Sequence, residues 1–298
     1  VGSEMCIRDS AQLKKMGFSD PTRVKLYGYG GRPQPEAFTF EGPDSPIDDL
    51  NEVPLYRRSG SALFFAEGVV RRTVNGAHQQ NPYSLYSYYF LTEGDAPATF
   101  STLPRSATAG DPIDEVIAQS VVDNDAFCWY EGGRSFYDSE QISSGRNYTL
   151  TLPGYAISDA QPSRSVKVNW DVANANATTS ALASLVNVES GYTLSRGTIP
   201  LTSEEGVSAH GYRAEFTTEV FTSEKVRLKV TSTDPSARLD YIRINYPQRL
   251  SASNPLASFS PDKAGAVTLR ISNASSSTAV WQLTLSLIHI SEPTRRRG

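Results

Sequence analysis

The sequence predicts a mainly β protein: a small, mixed, β-rich N-terminal domain followed by an antiparallel β-sandwich or jelly-roll domain. Three observations carry this. In "SVKVNWDV", Val166, Val168, Trp170 and Val172 share one face of a strand, and Lys167, Asn169 and Asp171 share the other. Strand side chains alternate sides, so such a segment has one buried and one wet face. The pattern recurs in "KVRLKV" and "AVTLRIS", with turns rich in Gly, Pro, Ser and Asn between, which is the signature of a sandwich. A chain of 298 residues, finally, makes two domains the natural division.

From the N-terminus, "AQLKKMGF" predicts a short helix with Leu13 and Met16 on one side and Gly17 as its stop. "TRVKLYGYGG" predicts a strand whose glycines permit a tight turn or a close backbone approach. The Pro- and Asp-rich stretch that follows reads as ordered loop. "SALFFAEGVV", "LYSYYFLT" and "AFCWYEGG" predict short strands, and "SGRNYTLTLPG" an alternating one through Tyr148, Leu150 and Leu152. "AISDAQPSRS" is small, polar and broken by a proline, as a linker would be. The expected division is therefore 11–157 for the N-terminal domain, 158–163 for the linker and 164–284 for the sandwich, in which "RAEFTTEVF" and "LDYIRINY" are longer strands.

The two ends, 1–10 and 285–298, are set apart by the genetic code. Leu285 to Thr294 can be coded by CTG TCT CTT ATA CAC ATC TCC GAG CCC AC. The reverse complement of that string translates as "VGSEMCIRD" followed by a codon that fits Ser10. Reverse-complementary ends are expected of a sequencing adapter read through on both sides of an insert, so these residues read as adapter and not as part of the native fold. On this reading the native chain extends beyond both junctions, with a signal peptide expected upstream.

Composition narrows the function classes. The formal charge is −4, and apart from the final "RRR" there is no basic run, which argues against nucleic acid as a partner. No apolar run is long enough to span a bilayer. Between the junctions Cys128 is the single cysteine, which excludes an internal disulfide framework and a Cys-rich zinc site.

The candidates for chemistry are few. Cys128 would need His78 or His210 as its base. Its position between Phe127 and Trp129 instead reads as an aromatic strand in which the thiol is a small buried hydrophobe. His78 falls in the polar loop "NGAHQQNP", and His210 begins a strand. Asp48 with Asp49, and Asp123 with Asp125, offer hard oxygens for calcium, but neither pair has the spacing of a known calcium loop, so both read as solvated turn residues. "GYGGRPQPE" lacks the lysine and the spacing of a phosphate cradle. Tyr83, Tyr86, Tyr88, Tyr89 and Phe90 crowd into eight positions. Exposed, they would be a sugar-stacking platform; the expected role is a core strand that buries rings on both faces. No catalytic, cofactor or metal site is predicted.

The ordered series "VKLYGYGGRPQPE", "DDLNEVPLY", "SALFFAEGVV", "HQQNPYSLYSYYFLT" and "YEGG…SGRNY", continuing through "ARLDYIRINYPQRL" to "AVWQLT", resembles the N-terminal region of the PorU-type sortases of the type IX secretion system. These are gingipain-like cysteine peptidases of the Bacteroidetes outer surface. The likeness covers nearly all of 11–284. "LFFAEG" departs from the family's LFYG-like segment, and "VWQLT" from its VWDVT-like one. The family's peptidase domain, with a His-Gly and a later Cys, follows this region. His210-Gly211 matches that superficially, but no cysteine follows it, so no catalytic residue carries over. The resemblance implies a non-catalytic part of a surface enzyme that removes C-terminal sorting signals from secreted cargo and anchors it to surface lipopolysaccharide. Cargo proteins and secretion-system components are the implied partners, and no cofactor is implied. A sugar-binding surface adhesin and a secreted gingipain-type peptidase that is not a sortase are the alternatives.

Overall fold

The structure is a computed structural model that describes residues 3–7, 10–33, 49–58, 60–72, 76–102, 110–129, 135–155, 166–174, 179–201, 210–218, 223–253, 267–276, 278, 280–283 and 288–291. The expected linker 158–163, Asp48 and most of the Pro-rich loop lie outside these residues. The chain forms two compact units, one of residues 1–107 with 274–298 and one of 108–273.

The first unit is a set of small sheets. Strand β1 (Ser3–Ile7) and helix α1 (Ser10–Lys15) precede β2 (Val24–Gly30), β3 (Glu52–Val53), β4 (Tyr56–Arg58) and β5 (Ser61–Ala66). β6 (Val70–Arg72), β7 (His78–Gln80), β8 (Tyr88–Glu93) and β9 (Ser101–Thr102) follow. The helix ends as expected at Gly17, whose φ of 100° suits glycine, but only Leu13 is buried and Met16 faces solvent. β5 alternates cleanly, sending Ala62, Phe64 and Ala66 into a small core with Leu26 and Leu55. Gly31 permits the expected close approach: a Cβ there would lie 2.6 Å from the backbone of Val69. The sheets run β1-β5-β4, β3-β2-β8 and β6-β7.

The second unit is the sandwich. A short parallel pair joins β10 (Asp111–Ile113) to β19 (Val267–Leu269). One antiparallel sheet runs β11 (Glu115–Asp123), β18 (Arg238–Arg249), β13 (Val166–Asn174), β16 (His210–Thr218). The other runs β12 (Arg146–Thr151), β17 (Lys225–Ser232), β14 (Thr179–Asn187), β15 (Thr193–Leu201). The two sheets share one core, with Trp170 fully buried among Val168, Val172, Leu185, Leu228 and Ile242. The mainly β, antiparallel expectation stands.

The domain division does not follow the expected one. β11 and β12, placed by sequence in the N-terminal domain, pair with β18 and β17 along their full lengths, so the sandwich begins before residue 164. The C-terminal end returns to the first unit, where β20 (Val280–Leu283) pairs with β21 (Ile288–Ser291), which also pairs with β9. Backbone pairing across many residues outweighs a local proline-rich signal. The two ends set aside by the coding argument supply β1 and β21. An open sheet edge accepts any extended segment, so this pairing does not bear on their coding origin.

The wet face expected of β13 is exposed at Lys167 but covered at its other two positions. Asn169 and Asp171 are nearly as buried as Trp170, because β13 is a central strand with side chains from both neighbours laid over it. Gln119 Nε2 donates to Asn245 Oδ1 (3.0 Å), Asn245 Nδ2 to Asn169 Oδ1 (3.4 Å), and Asn169 Nδ2 to Glu215 Oε2 (2.6 Å). Lys167 Nζ lies 3.1 Å from Glu215.

Two outcomes are expected in urea titrations. Trp170→Ala should cost about 3–5 kcal/mol, the range for a large aromatic lost from a core. Trp170→Phe should cost less than half of that, because the buried Nε1–H of Trp170 meets no acceptor among the described residues and its loss is no penalty. Equal losses for the two would show that the indole is not wedged between the sheets.

The hydrogen bond from Asn169, then Lys167 and Arg243, hold the Glu215 carboxyl below its ordinary range. A carboxyl with a lowered folded pKa stabilises the fold above its unfolded pKa, and that contribution is lost as pH falls through the folded value. Stability should therefore fall as pH drops below the ordinary glutamate range, about 4.3, and Glu215→Gln should flatten part of that fall. An unchanged acid slope in the Gln variant would contradict it.

Candidate functional site

The largest exposed apolar feature among the described residues is aromatic and belongs to the first unit. Tyr83, Leu85, Tyr86, Tyr88 and Phe90 are between 57% and 70% exposed. The sequence expectation of a core strand is corrected here. β8 is the edge strand of its sheet and is two-sided: Tyr89 and Leu91 pack on the small core, while Tyr88 and Phe90 point to water. The strand also begins only at Tyr88, so Tyr83 and Tyr86 sit in the preceding loop. Five such side chains expose on the order of 600 Å² together, the upper end of the largest patch on a typical monomer.

Local chemistry fixes this presentation. Between the pairs Tyr27–Phe90 and Gly30–Tyr88, β2 runs three residues against two on β8, a bulge carried by Gly28 and Gly30 at φ of 152° and 69°. The loop is tied by the buried Asn81. Its Nδ2 donates to the Gly31 carbonyl (3.0 Å) and its Oδ1 accepts from Tyr83 N (2.9 Å). Ser84 Oγ donates to the Tyr86 carbonyl (2.8 Å) and accepts from Tyr86 N (3.1 Å). On the inner side, the Tyr89 hydroxyl accepts from Glu67 N (3.0 Å), and its ring meets Phe64 edge-on with centroids 5.0 Å apart. Burial pushes the Tyr89 phenol up.

A second cluster lies in the sandwich unit. Oxygens of Asp123, Asp125 and Asp240 come within 4.8 Å of one another. Asp123 and Asp125, expected as solvated turn residues, are both half-buried, and Asp123 is the last residue of β11; the fold adds Asp240 from β18. From Trp170–Ile242 to Val172–Leu239, β18 runs three residues against two on β13, and this bulge turns Asp240 toward Asp123. Nothing in the sequence marks it. The set is all hard oxygen, which suits calcium rather than a soft metal. Nearby, Phe127, Trp129 and Tyr137 stack edge to face, with the Arg238 guanidinium 3.6 Å from the Phe127 ring centre. Burial, then Asp240, pushes the Tyr137 phenol up.

The Cys–His candidates are not assembled on one element. Cys128 is half-buried rather than buried, and lies in a loop where Phe127 makes a single bridge to Tyr137, not in the expected strand. His78 is in β7 of the first unit, not in a loop. His210 starts β16 as expected, its Cα paired with that of Asn174; its side chain lies outside the described residues.

No family model and no curated protein matches the chain. Among solved structures, the whole chain aligns with 29% of the chain in the crystal structure of dimeric latent PorU from Porphyromonas gingivalis, at 22% identity and a TM-score of 0.79. At that identity the likeness establishes a shared fold, and the chain spans less than a third of that protein. The carbohydrate-binding module TmCBM61, solved with β-1,4-galactotriose, gives a TM-score of 0.22 over 45% of the chain at 11% identity. An arabinoxylan arabinofuranohydrolase from Bacillus subtilis gives 0.21 over 64% at 12% identity. Neither of these two bears on the fold. No helix among the described residues is long and apolar enough to cross a membrane.

Tyr88→Ser and Phe90→Ser should each change stability by no more than about 0.5 kcal/mol, as exposed positions do. Tyr89→Ala should cost about 3 kcal/mol, since it removes a half-buried ring packed on the core and its hydrogen bond from Glu67 N. Similar losses at all three positions would mean that β8 buries both faces.

Proposed function

We propose that this chain is the non-catalytic N-terminal part of a cell-surface sortase of the type IX secretion system. The observation that carries the reading is the match of the whole chain to one stretch of PorU at a TM-score of 0.79. The ordered motif series points the same way independently of the coordinates. On this reading the parent is a gingipain-like cysteine peptidase, exported to the outer membrane surface. It removes C-terminal sorting signals from secreted cargo and anchors the cargo there, and cargo and secretion components are its partners. The part in hand would cover the enzyme or position cargo.

The exposed tyrosines favour a second reading, a sugar-binding surface module, because rings held open to water by hydrogen-bonded turns can stack on sugar faces. Calorimetric titration with soluble glycans separates the two: binding lost in Tyr86→Ala and Tyr88→Ala would promote the sugar reading.

Cysteine peptidase chemistry needs a thiolate beside an imidazole and donors for the developing oxyanion. The purified chain should therefore cleave no Arg-, Lys- or sorting-signal peptide above background, and Cys128→Ala should change nothing. The gene should continue past Thr284 into a domain with a His-Gly after an apolar strand and a later Cys. A gene that stops soon after Thr284, or continues as β-sandwich repeats, would sink the sortase reading.

A further inference from the structure

The outer face of the β12-β17-β14-β15 sheet carries charge of one sign among the described residues. Along β17 the inward residues Val226, Leu228 and Val230 are fully buried, and Lys225, Arg227 and Lys229 all point to water. The pairing register gives their neighbours on the same face. Lys229 is flanked by Asn147 and Ser184, and Ser184 is followed by Arg196 on β15. Arg227 is flanked by Thr149 and Val186, and Lys225 lies beside Thr151. No acidic residue occupies these rows. Among the described residues, Glu224 and Glu189 flank the rows, just before β17 and in the β14–β15 turn, and Glu224 Oε1 is engaged by Gly154 N (3.0 Å).

Lys225, Arg227, Lys229 and Arg196 make no ion pair among the described residues. Elsewhere Arg23, Lys25, Arg32, Arg146 and Lys167 each meet a carboxylate within 3.3 Å. In a chain of formal charge −4, this is a one-sign face of four cations. Neighbours along β17 stand about 7 Å apart, and Arg196 lies about 10 Å from Lys229, two strand spacings away.

We propose that this face docks on an anionic lipid surface, with the four cations against the phosphates and Asn147, Thr149, Thr151 and Ser184 donating hydrogen bonds between them. The argument rests on charge complementarity and on the sheet's own residues, independently of the sortase reading. A planar array of cations interleaved with small polar donors fits a plane of phosphate headgroups. Single-stranded nucleic acid would call for rings to stack on, and these rows hold none. A duplex is read by an element inserted in a groove, which a sheet face is not.

The test uses the 298-residue chain and co-sedimentation with vesicles of phosphatidylcholine, either alone or mixed equally with phosphatidylglycerol, at about 0.05 M salt. Binding is expected to the mixed vesicles alone and should be lost at about 0.5 M salt, as the screening length shrinks. Each basic residue near an anionic surface multiplies the partition about fivefold. Arg227→Gln should therefore weaken binding by about that factor, and neutralising Lys225, Arg227, Lys229 and Arg196 together by more than about a hundredfold. Lys14→Gln with Lys15→Gln, on α1, should leave it unchanged. Circular dichroism melts check that the variants fold; if the fourfold variant does not, Arg227→Gln decides alone. No binding to the mixed vesicles, equal binding by the variants, or full displacement by duplex DNA at matched phosphate would overturn the proposal.

Discussion

The sandwich depends on parity. Eight strands in two sheets must each send every second residue inward, and β13 sets the count because it lies between β18 and β16 with Trp170 at its centre. A one-residue slip would carry Asn169 and Asp171 into the core and expel four apolar side chains. Burying the polar pair without partners would cost several kcal/mol, and losing Trp170 a similar amount again. The register is also pinned from outside the core. Asn174 Nδ2 donates to the fully buried Asp234 (2.7 Å), whose other oxygen accepts from the amide and hydroxyl of Ser236 (2.7 Å each). The end of β13 is thus tied to the turn between β17 and β18, which joins the two sheets.

Given that constraint, irregularities can occur only where the inward set is spared. Between Leu239 and Ile242, both buried, β18 takes up its extra residue through Asp240 and Tyr241 on the outer side. Trp170 and Val172 keep their places, and the cost falls on the outer face, where three aspartates converge. The bulge in β2 works in the same way: Leu26 stays in the core, while the glycines let Tyr88 and Phe90 remain on the water side of β8.

What the sequence showed follows from the same physics. The alternation in β13, β17 and β12 was legible because apolar and polar side chains contrast sharply there, and Val166 to Val172, Val226 to Val230, Tyr148 and Leu150 all point where alternation puts them. β14 was not legible. Its inward residues Ala181 and Ala183 differ little in polarity from the serines beside them, and its outward Leu182 and Val186 are apolar. The boundary was misplaced because β11 and β12 are joined to the sandwich by pairing with β17 and β18, more than a hundred residues away in the case of β11 and β18. The aromatic segment misled because its ring density was read as burial, when Asn81 and Ser84 build turns that hold those rings outward.

Two surfaces of opposite chemistry remain for partners, and physical chemistry separates how they would work. Aromatic contact gains from expelling water and is insensitive to salt, so Tyr83, Tyr86, Tyr88 and Phe90 suit a lasting contact with a sugar face or an apolar protein surface. Exposed cations act over about a Debye length and weaken as salt rises, so Lys225, Arg227, Lys229 and Arg196 suit a reversible contact with an extended anionic plane. The two surfaces thus differ in the partner each would suit and in how salt would govern the contact.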